Sequence, residues 1–98
     1  MIPDFAKPMF EVGETLMSPR VAKLSESVLM VELYIDRHRL GDWDDSGEDD
    51  RALNLSAIAN NDKVFSRFNT SFGLLKIITT SSRNTTVITL DEEETFPT

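Results

Sequence analysis

From Arg37 to Asp50 the chain reads RHRLGDWDDSGEDD, and most of its reactive side chains are there. The stretch holds the only histidine, His38, and the only tryptophan, Trp43. Six carboxylates follow within nine residues: Asp42, Asp44, Asp45, Glu48, Asp49 and Asp50. These residue types suit three chemistries. A carboxylate orients an imidazole and raises its pKa, so His38 with Asp42 or Asp36 could exchange protons with a substrate. Oxygen ligands at alternate positions suit calcium: Asp42, Asp44 and Ser46 fall on the ligand places of an EF-hand loop, with Gly47 at its turn. The closing bidentate glutamate is missing, because Leu53 stands there, so any calcium affinity would be weak. Finally, carboxylates at Asp42–Asp50 and Asp91–Glu94 could occupy a basic surface that normally grips phosphates. Zinc lacks ligands, with one His and no Cys. There is no nucleophile-elbow serine and no phosphate-cradling glycine loop. The structural alternative has Trp43 plugging the core, Asp42 accepting hydrogen bonds, and His38 as a cation near a helix C-terminus.

The elements that must position these residues follow from periodicity. Two prolines within residues 1–8 predict an extended arm. Phe10, Val12 and Leu16, interrupted by Gly13, predict a short strand or extended lead-in. Ser18-Pro19 is a helix start, with Ser as N-cap and Pro in the first turn. Val21, Leu24 and Val28 then share one face. Val28, Val31 and Ile35, widened by Leu29 and Leu33, continue as helix to Leu40, with Gly41 as the stop. DWDDSGEDD is a loop. A further helix begins at the acids, which complement its dipole, presents Ala52, Leu55 and Ile58 on one side, and closes at Asn60-Asn61. Beyond it the period changes. Val64, Ser66 and Phe68 oppose Phe65; GLLKIITT is rich in β-branched residues; Thr85, Val87 and Thr89 alternate with Thr86, Ile88 and Leu90. SSRN between the last two suits a hairpin turn.

Helices first and strands second is an α+β signature. The predicted fold is one domain over residues 9–90: N-terminal helices packed on a C-terminal antiparallel meander of about three strands. An acidic tail covers 91–98. The formal charge of -7 on 98 residues argues against direct contact with nucleic acid or an anionic membrane and favours a basic protein partner. The absence of cysteine excludes disulfides and thiolate chemistry. No stretch reads as a signal peptide or a membrane span, so a cytoplasmic protein is expected. If KIITT or TVITL lies at a sheet edge, it could pair with a second copy.

Arg37-His38, Gly41-Asp42-Trp43, Asp50, Asn54, Ala57-Ile58, Asn61, Lys63, Ser66 and Phe68 keep an ordered spacing. That set resembles the small plasmid-related proteins of plasmids, integrative elements and phages. Phe10 and Gly13, the SPRVAKL segment, Gly73, Arg83 and Thr85-Thr86 extend the likeness. Asp44 and Asn61 stand where that pattern has glycine, and Lys63 where it has arginine. The resemblance implies an α+β accessory protein of a mobile element and brings no established activity.

The combined reading is a non-enzymatic phage or plasmid protein that binds a host protein, as an acidic inhibitor of a defence or nucleic-acid-handling system. In phage-borne form it would act in the host cytoplasm, without cofactor or metal. The candidate contact is Asp42, Trp43, Asp44, Asp45, Asp49 and Asp50. The alternative is a small-anion or nucleotide-ligand binder or weak hydrolase centred on Arg37, His38, Asp42 and Arg83, where the arginines hold an anion and His38 moves protons.

Overall fold

Side chains that alternate along three strands and bury on one side build the core. In a computed structural model, which describes residues 8–26, 29–43 and 48–90, the elements run in the order β1 (Glu14–Met17), α1 (Pro19–Ser25), α2 (Val31–Leu40), α3 (Glu48–Ala59), β2 (Val64–Thr70), β3 (Gly73–Thr79) and β4 (Thr85–Leu90). Most of the expected arm, the acidic tail, Val28, and Asp44, Asp45, Ser46 and Gly47 of the loop lie outside the described residues. Strands β2, β3 and β4 form the antiparallel meander. Val64, Ser66 and Phe68, then Leu75, Ile77 and Thr79, then Thr86, Ile88 and Leu90 point inward and are buried. The fold is α+β, as the order of periodicities predicts.

The lead-in does more than extend. β1 pairs in parallel with β4, from Glu14 opposite Thr85 to Met17 opposite Ile88, so the sheet has four strands in the order β1-β4-β3-β2. KIITT and TVITL are therefore central rather than edge strands, and the edges are β1 and β2. The outward side carries Leu16, Val87, Ile78 and Phe65 in one cross-strand row, none of them among the buried core residues.

The helix signals hold where backbone chemistry carries them. Ser18 caps α1, its hydroxyl accepting from the Val21 N–H at 3.2 Å, with Pro19 in the first turn. Gly41 ends α2 at φ +80°; its N–H returns to the His38 carbonyl at 3.4 Å and the Asp42 N–H to the Arg37 carbonyl at 2.9 Å. That pair of bonds is a Schellman turn, which needs a residue in the left-handed region. Side-chain stripes fare less well. Leu33 is 54% exposed and Leu29 is buried ahead of α2 rather than on it. On α3 the expected side is partly wrong: Ala52 and Leu55 are exposed, and the buried position is Asn54, flanked by half-buried Ala57 and Ile58.

Asn54 explains why a polar residue faces inward. Its amide donates to the Phe65 carbonyl at 2.5 Å and its oxygen accepts from the Phe65 N–H at 2.9 Å. The side chain thus stands in for a neighbouring strand on the open edge of β2, which would otherwise template unwanted pairing. Asn54→Ala should lower the unfolding free energy by roughly 1–3 kcal/mol, because two backbone groups lose their partner. Concentration-dependent self-association in sedimentation should accompany the loss; a variant that stays as stable and monomeric as the wild type would contradict this role.

Candidate functional site

α2 carries His38 across the inward face of the sheet, and the ring is completely buried. Nδ1 meets the Ser66 hydroxyl on β2. Nε2 lies 2.8 Å from Thr79 Oγ1 on β3, and Thr79 Oγ1 lies 2.6 Å from Thr86 Oγ1 on β4. Thr86 in turn donates to the Val12 carbonyl at 2.7 Å, just ahead of β1. This last bond orients the whole chain. Since the Thr86 hydrogen goes to Val12, Thr86 accepts from Thr79, so Thr79 must accept from Nε2–H of the imidazole. The bare Nδ1 then accepts from Ser66. In the neutral ring that burial favours, the proton thus sits on Nε2, and one directed row of hydrogen bonds ties β2, β3, β4 and the segment leading into β1 to α2.

The electrostatics agree. Burial without a counter-charge lowers the His38 pKa from 6.5 to about 3, with the positive charge of Arg83 adding to the shift. The expected carboxylate partners are elsewhere. Asp42 accepts from Arg37 Nε at 3.1 Å, and Asp36 pairs with Arg39 at 2.8 Å. His38 is thus neither a raised-pKa base nor a cation at the helix end. Its carbonyl accepts from Trp43 Nε1 at 2.8 Å, and the Phe10 ring meets the imidazole edge-on at 5.0 Å.

The candidates among the described residues each have a place. Trp43 is 1% exposed, so it packs in the core and is not a contact residue for a partner docking on the surface. Arg37 lies over the Phe68 ring at 4.6 Å while holding Asp42. Arg83 lies over the Phe10 ring, 5.6 Å from its centre. Its guanidinium donates to the Asp62 carbonyl at 2.6 Å and the Thr80 carbonyl at 3.0 Å, which ties the β3–β4 turn to the end of α3. Arg37 and Asp42 thus pair at the surface, while His38 is buried and Arg83 holds backbone carbonyls. Asp49 is exposed in the first turn of α3, and Asp50, part-buried, pairs with Arg67 at 3.0 Å. Among the described residues no cluster of three metal-ligating side chains is present. Asp44 and Asp45 lie outside the described residues. Ser66, Thr79 and Thr86 join the site from outside the sequence candidates; a polar residue at an inward strand position is the signal of a buried partner.

The Arg37–Asp42 pair is half in solvent, with side chains 31% and 47% exposed. Asp42→Asn should therefore change stability by no more than about 1 kcal/mol. Chemical denaturation checks this, and a larger loss would show that the pair is structural rather than a surface contact.

The fold and this cluster define an α+β protein whose single imidazole fastens a helix to a sheet. No family model, curated protein or solved structure matches the chain. Among the described residues no helix is long and apolar enough to cross a membrane.

Proposed function

We propose that this is a non-enzymatic accessory protein of a phage or plasmid that binds a basic host protein through its surface carboxylates. One observation carries the reading: the residue best suited to proton transfer is sealed among hydroxyls, while Asp42 and Asp49 stand in solvent. A buried neutral imidazole with both nitrogens engaged has no lone pair for a substrate. Exposed carboxylates on a chain of charge -7 attract cationic surfaces over about a Debye length and steer their approach. With Trp43 buried, the proposed contact set is Asp42, Asp44, Asp45 and Asp49, with Asp50 partly committed to Arg67. The mobile-element context comes from the ordered residues between Arg37 and Phe68, and inhibition of a defence or nucleic-acid-handling system is the role that context favours.

Affinity capture from a bacterial host lysate, at low and high salt, tests this reading with wild type beside an Asp42→Asn, Asp49→Asn double variant. A partner held at low salt, lost at high salt and lost by the double variant supports it. A partner held equally by both proteins at both salts contradicts it.

A further inference from the structure

We propose that the open edge of β1 and the groove beside it bind an extended segment of another protein in which lysine or arginine alternates with β-branched residues. The proposal concerns a different surface from the Asp42 end and stands or falls independently of it. The groove lies at the N-terminal end of α2, whose ten residues span roughly 15 Å before Asp42 is reached.

The backbone supplies the first argument. Among the described residues β1 has β4 on one side and no strand on the other. The Glu14 N–H donates to the Asn84 carbonyl at 2.9 Å and the Ser18 N–H to the Ile88 carbonyl at 3.0 Å. In a parallel ladder, alternate residues face the same neighbour, so Leu16 also faces β4. Thr15 and Met17 then aim both N–H and C=O at the open side, and no described residue bonds them there. The opposite edge is closed by Asn54. Thus one edge of the sheet is blocked by a dedicated side chain and the other is left available for strand addition.

The groove supplies the second. It encloses about 600 Å³, and Met17 of the open edge is part of its wall. Leu29 and Val31 are buried in its floor, while Met30 and Leu33 are 67% and 54% exposed along it. Glu26 and Glu32 stand on its rim, and none of the described residues that line it is basic. An added strand would turn alternate side chains into this groove. A lysine there lays its methylenes on Met17 and Leu33 and brings its ammonium to Glu26 or Glu32. The intervening side chains emerge on the outward face beside Leu16, which is 44% exposed and continues the row of Val87, Ile78 and Phe65. β-branched residues suit that position. A second copy of this chain is a poorer occupant, because it would bring its own -7 charge and its own Glu26 and Glu32 to the same place.

The experiment uses two blocked synthetic peptides, one alternating valine with lysine and one alternating valine with glutamate, titrated into the labelled protein. The expected result is that the lysine peptide moves the amides of Thr15 and Met17 and the methyls of Met30 and Leu33, and that the glutamate peptide does not. Thr15→Pro removes an outward N–H without touching the β4 ladder, and should abolish binding. Glu26→Lys with Glu32→Lys should weaken the lysine peptide by about tenfold or more, a test that survives even if the proline variant fails to fold. Asp42→Asn with Asp49→Asn should leave peptide binding unchanged, which separates this surface from the one proposed above. Shifts confined to the Asp42–Asp50 end would overturn the proposal, as would indifference to Glu26 and Glu32. Self-association through β1 that the lysine peptide cannot compete away would also overturn it, and would assign the edge to a second copy.

Discussion

Replacing His38 by alanine is expected to lower the free energy of unfolding by about 3–5 kcal/mol. Two costs add. The ring is wholly buried, so its removal leaves a cavity beneath Phe10. It also leaves the buried Ser66 hydroxyl without its acceptor and the buried Thr79 oxygen without its donor. A domain of this size holds roughly 5–15 kcal/mol in total, so the variant should melt well below the wild type or fail to fold. His38→Gln keeps one donor and one acceptor and should recover part of the loss. The pH dependence separates the imidazole from mere volume. With a folded pKa of about 3 and an ordinary value of 6.5, the unfolded chain takes up the proton first as pH falls. The contribution is complete above pH 6.5 and is lost at about 1.4 kcal/mol per pH unit between there and 3. Urea denaturation across that window should show this slope in the wild type, above the carboxylate background that remains in His38→Gln. Equal slopes in both proteins would refute a buried neutral histidine.

Gly13→Ala should cost at least about 3 kcal/mol, the second large effect. Gly13 sits at φ +63°, and a methyl there would collide with the backbone of Asn84 and lie 2.6 Å from the Arg83 carbonyl. Backbone cannot swing aside as a side chain can, so β1 would have to lift off β4. The Glu14–Asn84 bond would go first, and with it the Val12 carbonyl that terminates the row from His38. Hydrogen exchange should report this as faster exchange at Leu16 and Ser18, whose N–H groups face β4. Gly41 is the control. It too has positive φ, +80°, but its methyl would meet chiefly the flexible Met9 sulfur, so Gly41→Ala should cost only about 1 kcal/mol. Similar losses at both positions would show that φ alone, and not the close approach of the β3–β4 turn, governs Gly13.

What could be read from the sequence was local. Ser18-Pro19 and Gly41 announce helix ends because capping chemistry involves neighbours a few residues apart. Val64, Ser66 and Phe68 declare an inward face because alternation needs no knowledge of the partner strand. Contacts between distant segments were opaque. Nothing near residues 14–17 states that they pair with residues 85–88. On α3, hydrophobicity pointed to Leu55, whereas the buried position went to Asn54 because an edge strand needed hydrogen bonds more than another methyl. At the candidate site, Arg37 and Asp42 did meet, as two residues flanking a Schellman turn should. His38 and Asp42 did not, because the turn leaves Asp42 in solvent while the helix turns His38 inward. The hydroxyls that hold His38 come from two strands, 28 and 41 residues further along the chain, and their polar character at inward positions was the signal.

The most direct test of a sealed structural imidazole is a nitrogen-resolved NMR titration of the His38 ring. The account predicts a neutral ring with its proton on Nε2, Nδ1 accepting a hydrogen bond, and no protonation from neutrality down to the acid limit of the folded state. A ring that titrates near 6.5, or that carries its proton on Nδ1, would contradict it and reopen His38 as a group available to a substrate.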